Sequence, residues 1–161
     1  MWRVLLPLAL LTPGAGVPPA PRPAAVTYEA PVAAPVRDPF RPPETAYGPG
    51  NRGLEYATEP GVEVRVAAAG TVTFAGQVGG ARYVTVGHAD RARTTYGPLG
   101  EVVVEVGSTV GAGEVVGTAA GTALLWTLRL GDAYLDPAIV LAASGQGGVR
   151  LVPTREGLGG D

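Results

Sequence analysis

The chain has 161 residues, enough for one domain of ordinary size, and 12 basic against 14 acidic side chains give a formal net charge of −2. Charged residues are only 16% of the chain and AVILMFWYC reach 46%, so a core can be buried, and the balanced charge argues against a nucleic-acid partner. All 12 basic residues are Arg, Cys is absent and His88 is the sole His, which excludes a P-loop lysine, a Schiff base, a lysine-borne carrier arm, a disulfide framework and a thiol nucleophile, and leaves a conventional Cys/His zinc site without its ligands.

Met1, Trp2 and Arg3 precede the apolar run Val4 to Leu11, and small residues and Pro follow to Ala25. This is the layout of a secretory signal peptide, too short to span a bilayer as a mature helix. A Pro-rich tail that begins with leucines is the other reading, and Pro7 inside the run counts for it. Residues 1–25 are therefore expected to be a signal or an apolar amino-terminal segment, and the mature chain to lack a transmembrane span. Secretion or retention at the cell envelope follows. Twelve of the 16 prolines lie before residue 50, and because Pro has no backbone donor, 26–37 is expected to be an extended linker.

From Gly61 onward the pattern changes to strand-length runs separated by glycines: 62–66, 71–75, 83–87, 93–96, 102–106, 114–118 and 124–130. Thr71 to Phe74 and Tyr83 to Val86 are β-branched or aromatic and suit a pleated surface, and Gln77 to Ala81 supplies a Gly-containing turn, which predicts a hairpin. The one helical prediction is a short turn over 137–142, with Asp136 as cap and Pro137 at the first position. The fold class expected is all-β, a compact antiparallel sandwich over 38–142. The Gly-rich tail 143–161 is expected to be disordered.

Two motif groups narrow this further. The phrase from Glu105 to Thr118, with Gly107, Gly111, Gly113 and Gly117, resembles half of a biotinyl or lipoyl domain, but the absence of Lys excludes the carrier function. Tyr47, Gly48, Pro49, Gly50, Asn51, Arg52, Gly53, Leu54 and Glu55, then Pro60, Gly61 and Val62, then Val66 to Val72, resemble the lysostaphin or LytM-like zinc metallopeptidases of peptidoglycan. Thr85 to His88, Thr94 to Leu99, the Gly107 to Gly117 phrase and Leu124 to Arg129 continue that resemblance, which covers about Asp38 to Leu141. It implies a sandwich of the duplicated hybrid motif type.

In that family a His, an Asp four residues on and a His of the last motif strand hold zinc, which polarises the scissile carbonyl and activates water. The resemblance places Asn51, Glu55 and Leu125 at those ligand positions. It places Pro98 and Ala123 where the family has its two catalytic His residues. Of the three ligand positions, only Glu55 could bind a metal. The expectation is therefore no catalytic residue, no metal ligand set and no cofactor, although the family implies zinc. Asn51, Glu55, His88, Tyr96 and Trp126 are candidates for lining a retained groove; against this, a lone strand-end His is usually structural, Glu55 could be an ordinary solvated acid, and a strand Trp is usually core. Nothing brings Ser108 or Ser144 to His88 as a nucleophile.

Three readings of function remain. In the first, the chain is an exported, non-catalytic relative that binds a peptidoglycan peptide or regulates a cell-wall hydrolase or another envelope protein. In the second, it is an active metalloendopeptidase whose metal site is rearranged around Glu55 and other carboxylates. In the third, it is a purely structural envelope module.

Overall fold

The computed structural model describes residues 25–45 and 47–144. The expected signal or apolar segment, except Ala25, and nearly all of the expected disordered tail lie outside them. Ten strands and one helix follow in order: β1 (Val36–Asp38), β2 (Gly53–Ala57), β3 (Glu63–Arg65), β4 (Gly70–Val78), β5 (Ala81–Gly87), β6 (Ala92–Val102), β7 (Thr109–Val110), β8 (Val115–Ala119), β9 (Ala123–Leu130), β10 (Ala133–Leu135) and α1 (Pro137–Ser144). Every strand pairing is antiparallel. The main path runs β1-β2-β9-β6-β5-β4-β7, β10 extends β9, and β8 joins β3 to the second half of β6. The all-β antiparallel expectation is the architecture observed.

Alternation explains which way the central strands face. On β9, Leu124, Trp126 and Leu128 are buried, and Val84 and Val86 of β5, Tyr96 of β6 and Leu54 and Tyr56 of β2 join them in one core. Val64 of β3 and Val116 and Ala119 of β8 complete that core. At about 25 cal/mol per Å² of apolar surface removed from water, this burial is the main term favouring the fold. The predicted hairpin forms as β4 and β5, and Val78 pairs with Ala81 around Gly79 and Gly80, both at positive φ (57° and 83°). A two-residue turn of that type suits the twist of the strands, and Gly adopts it without a Cβ penalty. The helix starts where expected, with Asp136 Oδ1 accepting from Ala138 N at 2.9 Å.

Three expectations are corrected. The 26–37 stretch is not a free linker: Tyr28 and Val32 are buried, and the carbonyls of Pro31 and Pro35 accept from Arg65 N and Ala57 N, both at 2.9 Å. Proline removes its own donor but leaves its acceptor, so a Pro-rich segment can still be tied to a neighbour. The run 102–106 is not a strand, since β6 ends at Val102 and the chain then turns with Val103 and Val106 exposed. Strands β1, β2, β7 and β10, of two to five residues, were not anticipated as strands.

Candidate functional site

The face of the sheet turned away from the core carries the residues of opposite parity. Glu55 of β2 stands across from Leu125 of β9, and Leu125 across from Gly97 of β6. The ring of Tyr83 on β5 lies against Gly97, so that a methyl group there would run into it. The next row holds Gly53, Thr127, Thr95, Thr85 and Phe74, each the register partner of the one before. Thr85 and Thr95 hydrogen-bond through their hydroxyls at 2.9 Å. This open face is the candidate site.

Asn51 precedes β2 and is buried, and its amide is fully committed to the backbone. Its Nδ2 donates to the carbonyls of Asp38 and Pro39, both at 3.1 Å, and its Oδ1 accepts from Gly53 N at 3.2 Å. Glu55 is partly exposed, and Arg37 Nε lies 3.0 Å from its Oε1. That guanidinium comes from the amino-terminal segment through β1, whose Asp38 pairs with Glu55 across a bulge. Leu125 offers no lone pair. The peptide bond Gly97-Pro98 is cis, and Ala123 starts β9 across from Ala57. Among the described residues no three His, Cys, Asp or Glu side chains converge as a metal could require. The donor set therefore does not fit a zinc ion, which calls for about four N, S or O ligands, three of them usually from protein.

Four of the five groove candidates do not line this face: Asn51 is spent on the backbone, and the other three lie in the interior. Tyr96 and Trp126 are register partners on the core face, and both are fully buried. They share the parity of Thr94 and of Leu124 and Leu128, and that parity is what turns them inward. His88 is 8% exposed and belongs to an interior chain of hydrogen bonds. Its Nδ1 lies 3.0 Å from the Ala69 carbonyl and its Nε2 2.8 Å from Thr94 Oγ1, which is 2.8 Å from the Tyr96 hydroxyl oxygen, itself accepting from Ala67 N at 2.8 Å. A carbonyl can only accept, so Nδ1 carries the proton, Nε2 accepts from Thr94, and Thr94 accepts from Tyr96. Burial pushes the imidazole below its usual pKa, against smaller opposing effects of the Ala69 carbonyl and the Asp90 charge. Burial likewise pushes the Tyr96 and Tyr56 hydroxyls up to about 12.

Tyr28 closes this interior from the amino-terminal side. Its ring meets His88 edge-on at 5.3 Å, and its hydroxyl donates to Asp90 Oδ2 at 2.9 Å. Asp90 Oδ1 accepts from Ala92 N at 3.0 Å. Burial, with the adjacent Asp90 charge second, holds the Tyr28 hydroxyl well above its ordinary pKa. His88 is thus a structural group tying strands to the amino-terminal segment.

Of the sequence candidates, only Glu55 reaches the open face with its side chain free of the core, and Leu125 is beside it. Sequence reasoning missed Arg37, Tyr83, Thr95, Thr127, Arg93 and Arg129. The parity of β9 is the available signal: once Trp126 is taken as core, Ala123, Leu125, Thr127 and Arg129 must face the other way.

Residues 49–137 match the model of peptidase family M23. Uncharacterized protein Rv2891 of Mycobacterium tuberculosis is 34% identical over 71% of this chain, as is Uncharacterized protein Mb2915 of Mycobacterium bovis. This chain spans about half (53%) of the length of these curated relatives. Among solved structures, a putative peptidase M23 from Pseudomonas aeruginosa superposes with a TM-score of 0.64 at 29% identity, over 75% of this chain and 53% of that one. The catalytic domain of lysostaphin from Staphylococcus simulans superposes with a TM-score of 0.61 at 20% identity, over 68% of this chain and 92% of that one. A zinc containing peptidase from Vibrio cholerae superposes with a TM-score of 0.60 at 20% identity, over 73% and 40%.

Proposed function

The chain belongs to peptidase family M23, and from that membership we propose that it is a non-catalytic relative, exported to the cell envelope, whose open face binds a peptidoglycan-derived peptide. The observation that carries this reading is the state of the three ligand positions inferred from the resemblance. Asn51 spends its amide on the backbone, Glu55 is paired with Arg37 at 3.0 Å, and Leu125 stands directly across from Glu55. A guanidinium is a fixed positive charge that cannot deprotonate, so Arg37 supplies internally the counter-charge a cation would give this carboxylate. A metal could enter only by displacing it, and would then find one carboxylate rather than the three protein ligands of a catalytic zinc.

What remains is suited to holding a peptide. Leu125 is partly exposed, the Tyr83 ring packs over Gly97 beside it as an aromatic wall, and the half-buried Thr85 and Thr95 carry hydroxyls on the same face. Export is supported by the amino-terminal sequence layout. Among the described residues no helix is long and apolar enough to cross a membrane.

The test is incubation of the full chain with purified peptidoglycan. The expected outcome is co-sedimentation with the wall and no release of peptide fragments, with or without added zinc. Chelator-sensitive release would replace this reading with that of a rearranged active enzyme. Neither release nor co-sedimentation would favour a purely structural module or a protein partner.

A further inference from the structure

Two arginines oppose each other on the open face. Arg93 of β6 and Arg129 of β9 are direct register partners, an arrangement in which like charges weaken the strand pair. Along the same row, Tyr134 flanks Arg129 and Gly87 flanks Arg93, and the next row is Thr127 with Thr95. None of these four is acidic. The carboxylate that the structure gives Arg129 is Asp132, fully exposed on the adjoining turn, 3.3 Å from Nη2. Such an exposed pair contributes little.

Both guanidiniums are nevertheless held in place. Arg93 Nη2 donates to the Gly131 carbonyl at 3.1 Å, and the Arg129 guanidinium lies over the Tyr134 ring at 4.9 Å. Arg129 Nε is buried without an acceptor. Two adjacent, positioned cations that are given, among the ion pairs of the described residues, the one fully exposed carboxylate of Asp132 make a seat for an anion, and the planar guanidinium fork fits a carboxylate.

We propose that Arg93 and Arg129 bind the terminal carboxylate of an extended peptide lying across the open face. The proposal rests on the peptide-binding reading above. Leu125 and Arg129 are four residues apart on one strand, about 13 Å along it, which is the length of an extended tri- or tetrapeptide. Such a peptide would cross Thr127 and Thr95 and place its carboxylate between the two arginines.

The experiment is calorimetric titration of the full chain with an alanine-rich tetrapeptide ending in a D-alanine carboxylate, with the same peptide as its terminal amide, and with inorganic phosphate. The free acid is expected to bind at least tenfold more tightly than the amide. Arg93→Gln, at an exposed position, removes that preference, and so does Arg129→Gln. Arg65→Gln, an exposed site on β3, leaves it unchanged. If Arg129→Gln fails to fold, Arg93→Gln decides alone. Equal binding of acid and amide overturns the seat and leaves peptide binding standing, whereas binding of neither overturns both. Phosphate competing as well as the acid overturns the assignment to a peptide carboxylate.

Discussion

Leu125 is the direct cross-strand partner of Glu55, and the Glu55 carboxylate is held by Arg37 at 3.0 Å. An apolar side chain and an internal cation thus occupy the two sides of the carboxylate that the family resemblance assigns to metal. Arg37 reaches it because the amino-terminal segment is part of the domain, adding β1 to the edge of β2. The segment expected to be a spacer is therefore what shapes this end of the candidate site.

The attachment of that segment can be measured through Tyr28. Its hydroxyl is the side-chain partner of the buried Asp90, and its backbone N donates to Ser144 Oγ at 2.8 Å, linking it to the end of α1. Tyr28→Phe removes one hydrogen bond to a charged, buried acceptor and is expected to lower unfolding stability by about 1.5–3 kcal/mol in urea titrations. A change below about 0.5 kcal/mol would mean that the segment is not docked as described.

A second expectation concerns acid. The unfolded chain takes up a proton at its single His near the ordinary pKa of about 6.5, whereas burial lowers the value in the fold. The unfolded state then binds more protons between those two values, so stability falls as pH drops from about 6.5 and levels off below the folded pKa. Urea midpoints from pH 8 downward, with the imidazole resonances of His88 as a site-specific readout, check this. Titration of His88 at or above the ordinary value would contradict the interior hydrogen-bond chain.

Parity on β9 gives a third. Leu124→Ala opens a cavity in the core and is expected to cost about 2–5 kcal/mol, whereas Leu125→Ala, one residue on and partly exposed on the open face, is expected to cost less than about 1 kcal/mol. Equal costs in thermal or urea unfolding would mean that the strand faces are assigned wrongly.

The same parity shows how far the sequence could be read. The hairpin of β4 and β5, the core strand β9 and the capped helix were legible because each carries a local signal: β-branched alternation, a Gly-Gly turn, an Asp-Pro start. Strand β2 was not, because Gly53–Ala57 is five residues long, opens on glycine and is stabilised by its place between β1 and β9. Trp126 and Tyr96 are groove candidates in the sequence, Trp126 by family position, but their own strand period puts them in the core. Arg37 could not be found at all, since nothing local announces that a Pro-rich segment folds back to bring a guanidinium onto Glu55.

In the function proposed above, this member of peptidase family M23 carries no zinc chemistry. Metal analysis of the full chain, purified without chelator or histidine tag and then titrated with zinc, tests it most directly. No zinc is expected to be retained through gel filtration, and no saturable uptake is expected at micromolar metal. About one tightly held zinc per chain, the behaviour of a true coordination site, would contradict it.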